Sequence, residues 1–330
     1  MAYRLVSDEP VGQGIHRIAL EELEFAIAQL RIEDETRRDE GIHEARKCIK
    51  KLRGIVRLLM PGLGDAGAKD NIALRDTGRA LSRLRDAAAL VETVETLSEQ
   101  HPADSGMEQL AVVRSALRRR LEHTVRAEDC RTLTGGAVAA LKTVKRRVSK
   151  WQLAPAGQFE MLAPGLEATY RRARKALKRA RAEQTPENLH ALRRRVKDSW
   201  YHVRLLDGAF REIPEHGERW LGERSLGELQ ELLGDDHNLT ILKAALEAEP
   251  AAFGGKKAVP VVLKLIARVQ ADLQSRAFEA AARIYAEKPV AHVLKLSGAF
   301  EAWQVRARKP KPPALSASSG PVAKRRTSAA

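Results

Sequence analysis

The chain has 330 residues, a formal net charge of +15, 44% hydrophobic and 4% aromatic residues. That is enough for two domains or one large one with a sizeable core, and the excess of cations points to nucleic acid, anionic lipid or another polyanion as partner. The two cysteines, Cys48 and Cys130, have no metal or disulfide spacing, and no apolar run approaches the ~18 residues of a membrane span.

Almost every segment reads as helix. Residues 13–32 carry Ile15, Ile18, Leu23, Ile27 and Leu30 at helical spacing. A charged break, Arg31 to Gly41, precedes a helix ending at Met60 before Pro61-Gly62-Leu63-Gly64. Helices are then expected over 69–98, with Arg75, Arg79 and Arg83 at i, i+4 spacing, over about 106–128, and from after Gly135-Gly136 to Trp151. Residues 152–164, with Pro155, Gly157 and Pro164, form the expected junction between a first half, 1–151, and a second, 165–305. The second half opens on a helix bearing Arg171, Arg174, Lys175, Lys178 and Arg181, and Thr185-Pro186 reads as an N-cap with proline in the first turn. Further helices are expected at about 215–248, 258–287 and 289–303. The tail, 306–330, holds seven Lys or Arg and no acid, and its Pro, Ser and Ala content predicts disorder. Cys48 falls at the margin of an apolar helix side, where a small buried residue is the expected role.

The stretch His43 to Arg57 organises the sequence. At about 100° per residue, His43, Arg46, Lys47, Lys50, Arg53 and Arg57 fall within roughly 60° of Lys50 on a helix, while Ile49, Leu52, Ile55, Val56 and Leu59 fall opposite. The pattern returns 147 residues later as His190, Arg193, Arg194, Lys197 and Arg204. Trp200 replaces Arg53 there, and Arg195 and His202 fall on the apolar side, so the second stripe is less clean. Cations at i, i+4 repel by a few tenths of a kcal/mol per pair, which an anion would relieve. At ~1.5 Å per residue the first stripe runs on the order of 21 Å, a length suited to a chain-like polyanion.

These two stretches resemble the CHAD family, the conserved histidine α-helical domain. A second paired element supports the resemblance, Leu81-Ser82-Arg83-Leu84-Arg85-Asp86 and Leu233-Gly234-Asp235-Asp236-His237-Asn238. The similarity spans about Gly14 to Trp303. Ser82 stands where the family usually has glycine, and Asn238 where it usually has aspartate. The resemblance implies an all-α fold of two pseudo-symmetric antiparallel helical bundles, with basic residues of both halves lining a shared surface or channel for inorganic polyphosphate. Some relatives are fused to a triphosphate hydrolase marked by Glu-x-Glu-x-Lys on a strand. Glu22-Leu23-Glu24-Phe25-Ala26 lacks the lysine and reads as helix.

The expected polyphosphate contacts are the two stripes with Arg75, Arg79 and Arg83 as one wall and Arg171, Lys175 and Lys178 as another. That pairing of walls is asymmetric, because Glu231 stands opposite Arg79 when the paired motifs are aligned. His43 and His190 could donate to phosphate or cap a buried network, and their alignment with the stripes favours phosphate. A nucleic-acid binder would share the charge, but few aromatics and no helix-turn-helix leave nucleic acid as a nonspecific competitor. A metal site or phosphohydrolase accessory domain could draw on His190, Asp235, Asp236 and His237, which lack a compact ligand spacing. The expectation is a cytoplasmic, non-enzymatic polyphosphate binder without cofactor, metal or membrane partner, with polyphosphate-granule association as a further expectation.

Overall fold

The computed structural model describes residues 3–102, 106–127, 130–153, 159–210 and 223–308; within these, no side chain is described at 35, 36, 83–85, 125–127, 210, 223, 307 and 308. All regular structure among the described residues is helical: α1 Val11–Gln29, α2 Glu35–Ala80, α3 Ser82–Gln100, α4 Met107–Ala127, α5 Cys130–Val148, α6 Ala163–Ala182, α7 Pro186–Leu205, α8 Asp207–Phe210, α9 Glu223–Ala248, a 3-10 turn Pro250–Phe253, α10 Gly255–Ile284 and α11 Pro289–Arg308.

The amphipathic pattern and caps account for most of these boundaries. Thr185 is the N-cap of α7, its side chain accepting from the Asn188 backbone N–H at 3.2 Å, and Pro186 fills the first turn where no N–H is needed. The stop expected at Pro61-Gly62-Leu63-Gly64 falls at Gly64, where φ 52°, ψ −129° divides α2 into two arms, the second reaching Ala80; glycine adopts that left-handed φ without Cβ strain. Two boundaries differ from expectation. Cys130, not the residues after Gly135-Gly136, begins α5, and 69–98 is not one helix. It divides at Leu81, which is buried and adopts φ −79°, ψ 2° between α2 and α3. The expected junction lies partly at 154–158, and the start of the expected 215–248 helix at 215–222, outside the described residues. α11 reaches Arg308, and the remaining tail, 309–330, also lies outside them.

Three hydrophobic cores hold the helices, and each draws on both halves of the sequence or joins distant elements. The largest joins Ile15, Ile18 and Leu23 of α1, Leu52, Ile55 and Leu59 of α2 and Leu141 of α5 to Leu205 of α7 and Phe300 of α11. A second lies where the α3–α4 hairpin meets α9 and α10, around Val94, Leu110, Leu242 and Ile266. The third packs α6 and α7 onto α9 and α10 through Ala173, Leu192, Val196, Leu229 and Ala281. The halves are therefore interlocked. Close backbone approach reinforces this at Gly165, where a Cβ would stand 1.8 Å from the Leu58 carbonyl oxygen.

Buried polar groups are tied between helices, as the cost of leaving them unsatisfied requires. Asp70, 1% exposed, accepts from Arg147 Nε at 2.5 Å and Trp151 Nε1 at 3.1 Å, fixing the end of α5 to the second arm of α2. Asp236 accepts from Gln270 and Gln274 of α10 at 3.1 and 2.7 Å.

Candidate anion site at the crossing of α2 and α7

The two stripe helices pack against each other at positions that correspond in the repeat. A methyl group at Gly54 would stand 3.0 Å from Tyr201 Cβ, and Tyr201 is 147 residues on. Lys50 lies close enough to Lys197, its own counterpart, to oppose its protonation. Equivalent residues meeting each other is the contact pattern of a two-fold arrangement, and it brings both stripes to one place.

On the side away from the cationic stripe, α7 is polar because it faces α2 there rather than a purely apolar core. The buried ring of His202 donates from Nε2 to the Gly54 carbonyl at 3.1 Å. Buried Asp198 forms an ion pair with Arg57 and a second with Arg195 at 3.5 Å. Arg195 and His202, which spoil the apolar side of the second stripe in the sequence, are thus inter-helix ties. Asp198 escaped the sequence reading, although it stands where the first stretch has Lys51. Arg172 of α6 also reaches this region, its charge opposing protonation of His202.

The charges that act on Lys197 are cations. Burial lowers the pKa of its amine to about 7, with Arg193 and Lys50 adding repulsion, and Lys197 makes no ion pair or hydrogen bond among the described residues. His190 and His237, from α7 and α9, have ring centroids 4.5 Å apart. Burial depresses both imidazoles. Arg194 and Arg193 depress His190 further, while Arg193, His190 and Lys197 help bring His237 to about 4. Burial also lowers Arg193, partly offset by Asp235 and Asp236. Two buried polar atoms here, His190 Nδ1 and Arg193 Nε, have no hydrogen-bond partner among the described residues.

A second group of cations lies on the α2 side. Arg53 Nε donates to Asn71 Oδ1 at 3.2 Å across the bend in α2. Burial and Arg57 lower Arg53 to about 10, Asp198 opposes this, and Arg75 and Arg79 add to it. The bend thus folds Arg75 and Arg79 back beside the first stripe. Asp76 sits among them, holding Arg75 through contacts of 2.8 and 3.2 Å. The side chain of Arg83, the third member of that expected wall, lies outside the described side chains.

The N-terminal part of the first stripe is committed elsewhere. Arg46 donates from Nη1 to the Leu81 carbonyl at 2.8 Å, closing the break between α2 and α3. Lys47 pairs with Glu44 at 2.8 Å. His43 lines a cleft of about 430 Å³ with Asp39, Glu40, Glu44 and Glu92. Two histidines at equivalent sequence positions therefore stand in opposite electrostatic surroundings, carboxylates around His43 and cations around His190. Arg171, Lys175 and Lys178 face solvent on α6, Arg171 paired with Glu167. Arg204 lies over the Trp200 ring at 4.8 Å, so the tryptophan that interrupts the second stripe carries one of its cations.

Among the described residues no three His, Cys, Asp or Glu side chains converge as metal ligands. His190 and His237 meet amid cations, and Asp236 is turned to Gln270 and Gln274, so the four residues considered for a metal do not form a donor set. No helix among the described residues is long and apolar enough to cross a membrane.

The fold and this cluster define a protein whose regular structure is all helical among the described residues, with cations gathered at the α2–α7 crossing. The family model described as CHAD domain matches residues 21–247, and the chain belongs to that family. No curated protein matches it.

Proposed function

We propose that the chain binds inorganic polyphosphate across the α2–α7 crossing, and that it acts by binding rather than by catalysis. The observation that carries this reading is Lys197: a half-buried lysine, facing Lys50 and Arg193, without a protein anion to balance it. Charging such an amine costs folding free energy, which an anionic ligand would return while keeping the proton in place. The path expected for the polyanion runs from Arg75, Arg79 and Arg53, across Lys50 and Lys197, to Arg193, Arg194, His190 and His237. Arg guanidinium forks grip phosphate oxygens in pairs, and lysines add mobile charge. His43, Arg46, Lys47 and Arg57 support the scaffold in this reading.

A cytoplasmic place and attachment to polyphosphate granules accord with such a ligand and belong to the same proposal. Calorimetric titration with long-chain polyphosphate at about 0.15 M salt tests it, comparing the native chain with the Lys50→Glu/Lys197→Glu double variant. The native chain should bind and the double variant should lose at least about tenfold in affinity. Equal affinity for both would remove the crossing from the binding surface.

A further inference from the structure

We propose that residues 3–10, the segment ahead of α1, form a strap that clasps α2 to α7 and keeps the anion site assembled, with the Tyr3 ring as its positioning residue. The bearing on binding rests on reading the crossing as the polyphosphate site; the clasp itself needs no ligand.

The 147-residue register shows what the strap replaces. Arg57 of α2 is tied to Asp198 of α7 by an ion pair. The counterparts of these two residues are Arg204 of α7 and Lys51 of α2, so the matching tie would have to join two cations. Lys51 is held instead by Glu22 of α1 at 2.7 Å. Tyr3 meets both cations. The Lys51 ammonium lies over its ring at 5.4 Å from the centroid and the Arg204 guanidinium at 5.9 Å, distances at which the negative face of an aromatic ring attracts a cation. With Trp200 at 4.8 Å, the Arg204 guanidinium is held by two rings from different segments.

Further contacts join the strap to both stripe helices. The Tyr3 hydroxyl donates to the Lys51 carbonyl of α2 at 3.2 Å. The Leu5 backbone N–H donates to the Leu205 carbonyl at 2.9 Å, satisfying one of the last carbonyls of α7. The Tyr3 ring stands edge-on to Tyr201, centroids 6.3 Å apart, and Tyr201 is the residue that meets Gly54 at the crossing. Tyr3 and Leu5 are both buried in the main core. At the far end Glu9 accepts from the Val6 N–H at 3.2 Å and from Arg17 Nε of α1 at 3.0 Å. Gly14 leaves room for this seat, since a Cβ there would stand 2.5 Å from Glu9 Oε1 and 2.7 Å from Leu5 Cδ2. Lys50 and Lys197 repel one another across the crossing, so the helices that carry them are kept together by ties outside the stripes. Asp198 is one such tie and the strap is the second.

Hydrogen exchange of the full chain, followed by peptide mass spectrometry, compares the native protein with Tyr3→Leu and Tyr3→Phe. Leucine keeps an apolar side chain but no ring; phenylalanine keeps the ring and loses only the hydroxyl. Tyr3→Leu should speed exchange about tenfold or more at 49–57 and 197–205, while 110–117 and 242–246, in the separate core of α3, α4, α9 and α10, exchange as in the native chain. Tyr3→Phe should stay within about threefold of native. Glu9→Ala frees the far end with Tyr3 intact and should loosen the same two segments, which decides the matter if Tyr3→Leu does not fold. In a parallel titration with long-chain polyphosphate, Tyr3→Leu should lose about fivefold in affinity and Tyr3→Phe should bind as the native chain does. Native exchange at the crossing in Tyr3→Leu and Glu9→Ala, equal loosening by leucine and phenylalanine, or loosening with unchanged affinity would each overturn the proposal. A native chain that does not bind polyphosphate defeats the site reading, and exchange alone then upholds or overturns the clasp.

Discussion

Replacing Lys197 with methionine should stabilise the free protein at pH 6 while weakening polyanion binding. A fall from 10.5 to about 7 in the pKa of the amine corresponds, at ~1.36 kcal/mol per tenfold change in proton affinity, to about 5 kcal/mol as a ceiling. The amine is only half-buried and solvent screens it, so about 1–2 kcal/mol is expected. The sign follows from linkage. Below about pH 7 lysine is protonated in both folded and unfolded chains, and the folded state bears the whole cost of that charge. Between about 7 and 10.5 the unfolded chain binds more proton, so native stability rises with pH and the advantage of methionine shrinks. Urea denaturation of both chains at pH 6 and pH 10 measures the two differences, and their change with pH cancels any constant packing contribution from methionine. The same gap at both pH values, or a gap that widens toward pH 10, would refute the reasoning that Lys197 is charged against its surroundings.

Proton uptake should accompany binding, because phosphate beside Lys197 and His190 raises pKa values that burial and neighbouring cations have lowered. Affinity should fall as pH rises through 7 to 9, and calorimetry in buffers of different ionisation enthalpy should detect protons taken up; a flat profile from pH 5.5 to 9 would contradict this. Asp198→Asn should cost about 2–4 kcal/mol in chemical denaturation by leaving Arg57 and Arg195 without their shared, buried anion. A cost under ~0.5 kcal/mol would show that this tie is not structural. Gly165→Ala should lower stability by about 3 kcal/mol or more, since its Cβ meets the Leu58 carbonyl and backbone rather than a flexible side chain must move; a neutral result would refute that close approach.

The helical class, the two basic stripes and the cap at Thr185 were legible because each depends on local spacing or on one residue's own chemistry. The break at Leu81 was not. Leu81-Ser82 has no glycine or proline to announce it, and the freed carbonyl is satisfied by Arg46 from a distant turn. The stripe arithmetic placed His43 and His190 alike, but neighbours from other helices decide their roles: Glu92 of α3 beside one, His237 of α9 beside the other. His237 was visible within the paired motif, where it suggested a metal ligand rather than an anion contact. Asp198 and Arg172 were passed over because their importance arises only where α2, α6 and α7 meet. Arg57 looked like a phosphate contact by its angle on the helix, and packing instead gave it an internal anion.

Competition binding tests the central claim most directly. Labelled long-chain polyphosphate is bound to the native chain at about 0.15 M salt, where diffuse phosphate contacts weaken. It is then challenged with duplex DNA and heparin matched for negative charge, with Lys50→Glu/Lys197→Glu run beside it. Retention of polyphosphate by the native chain and its loss by the variant is the predicted result. Equal displacement by DNA and heparin, with the variant binding as the native chain does, would show a merely basic surface and contradict a selective site at the α2–α7 crossing.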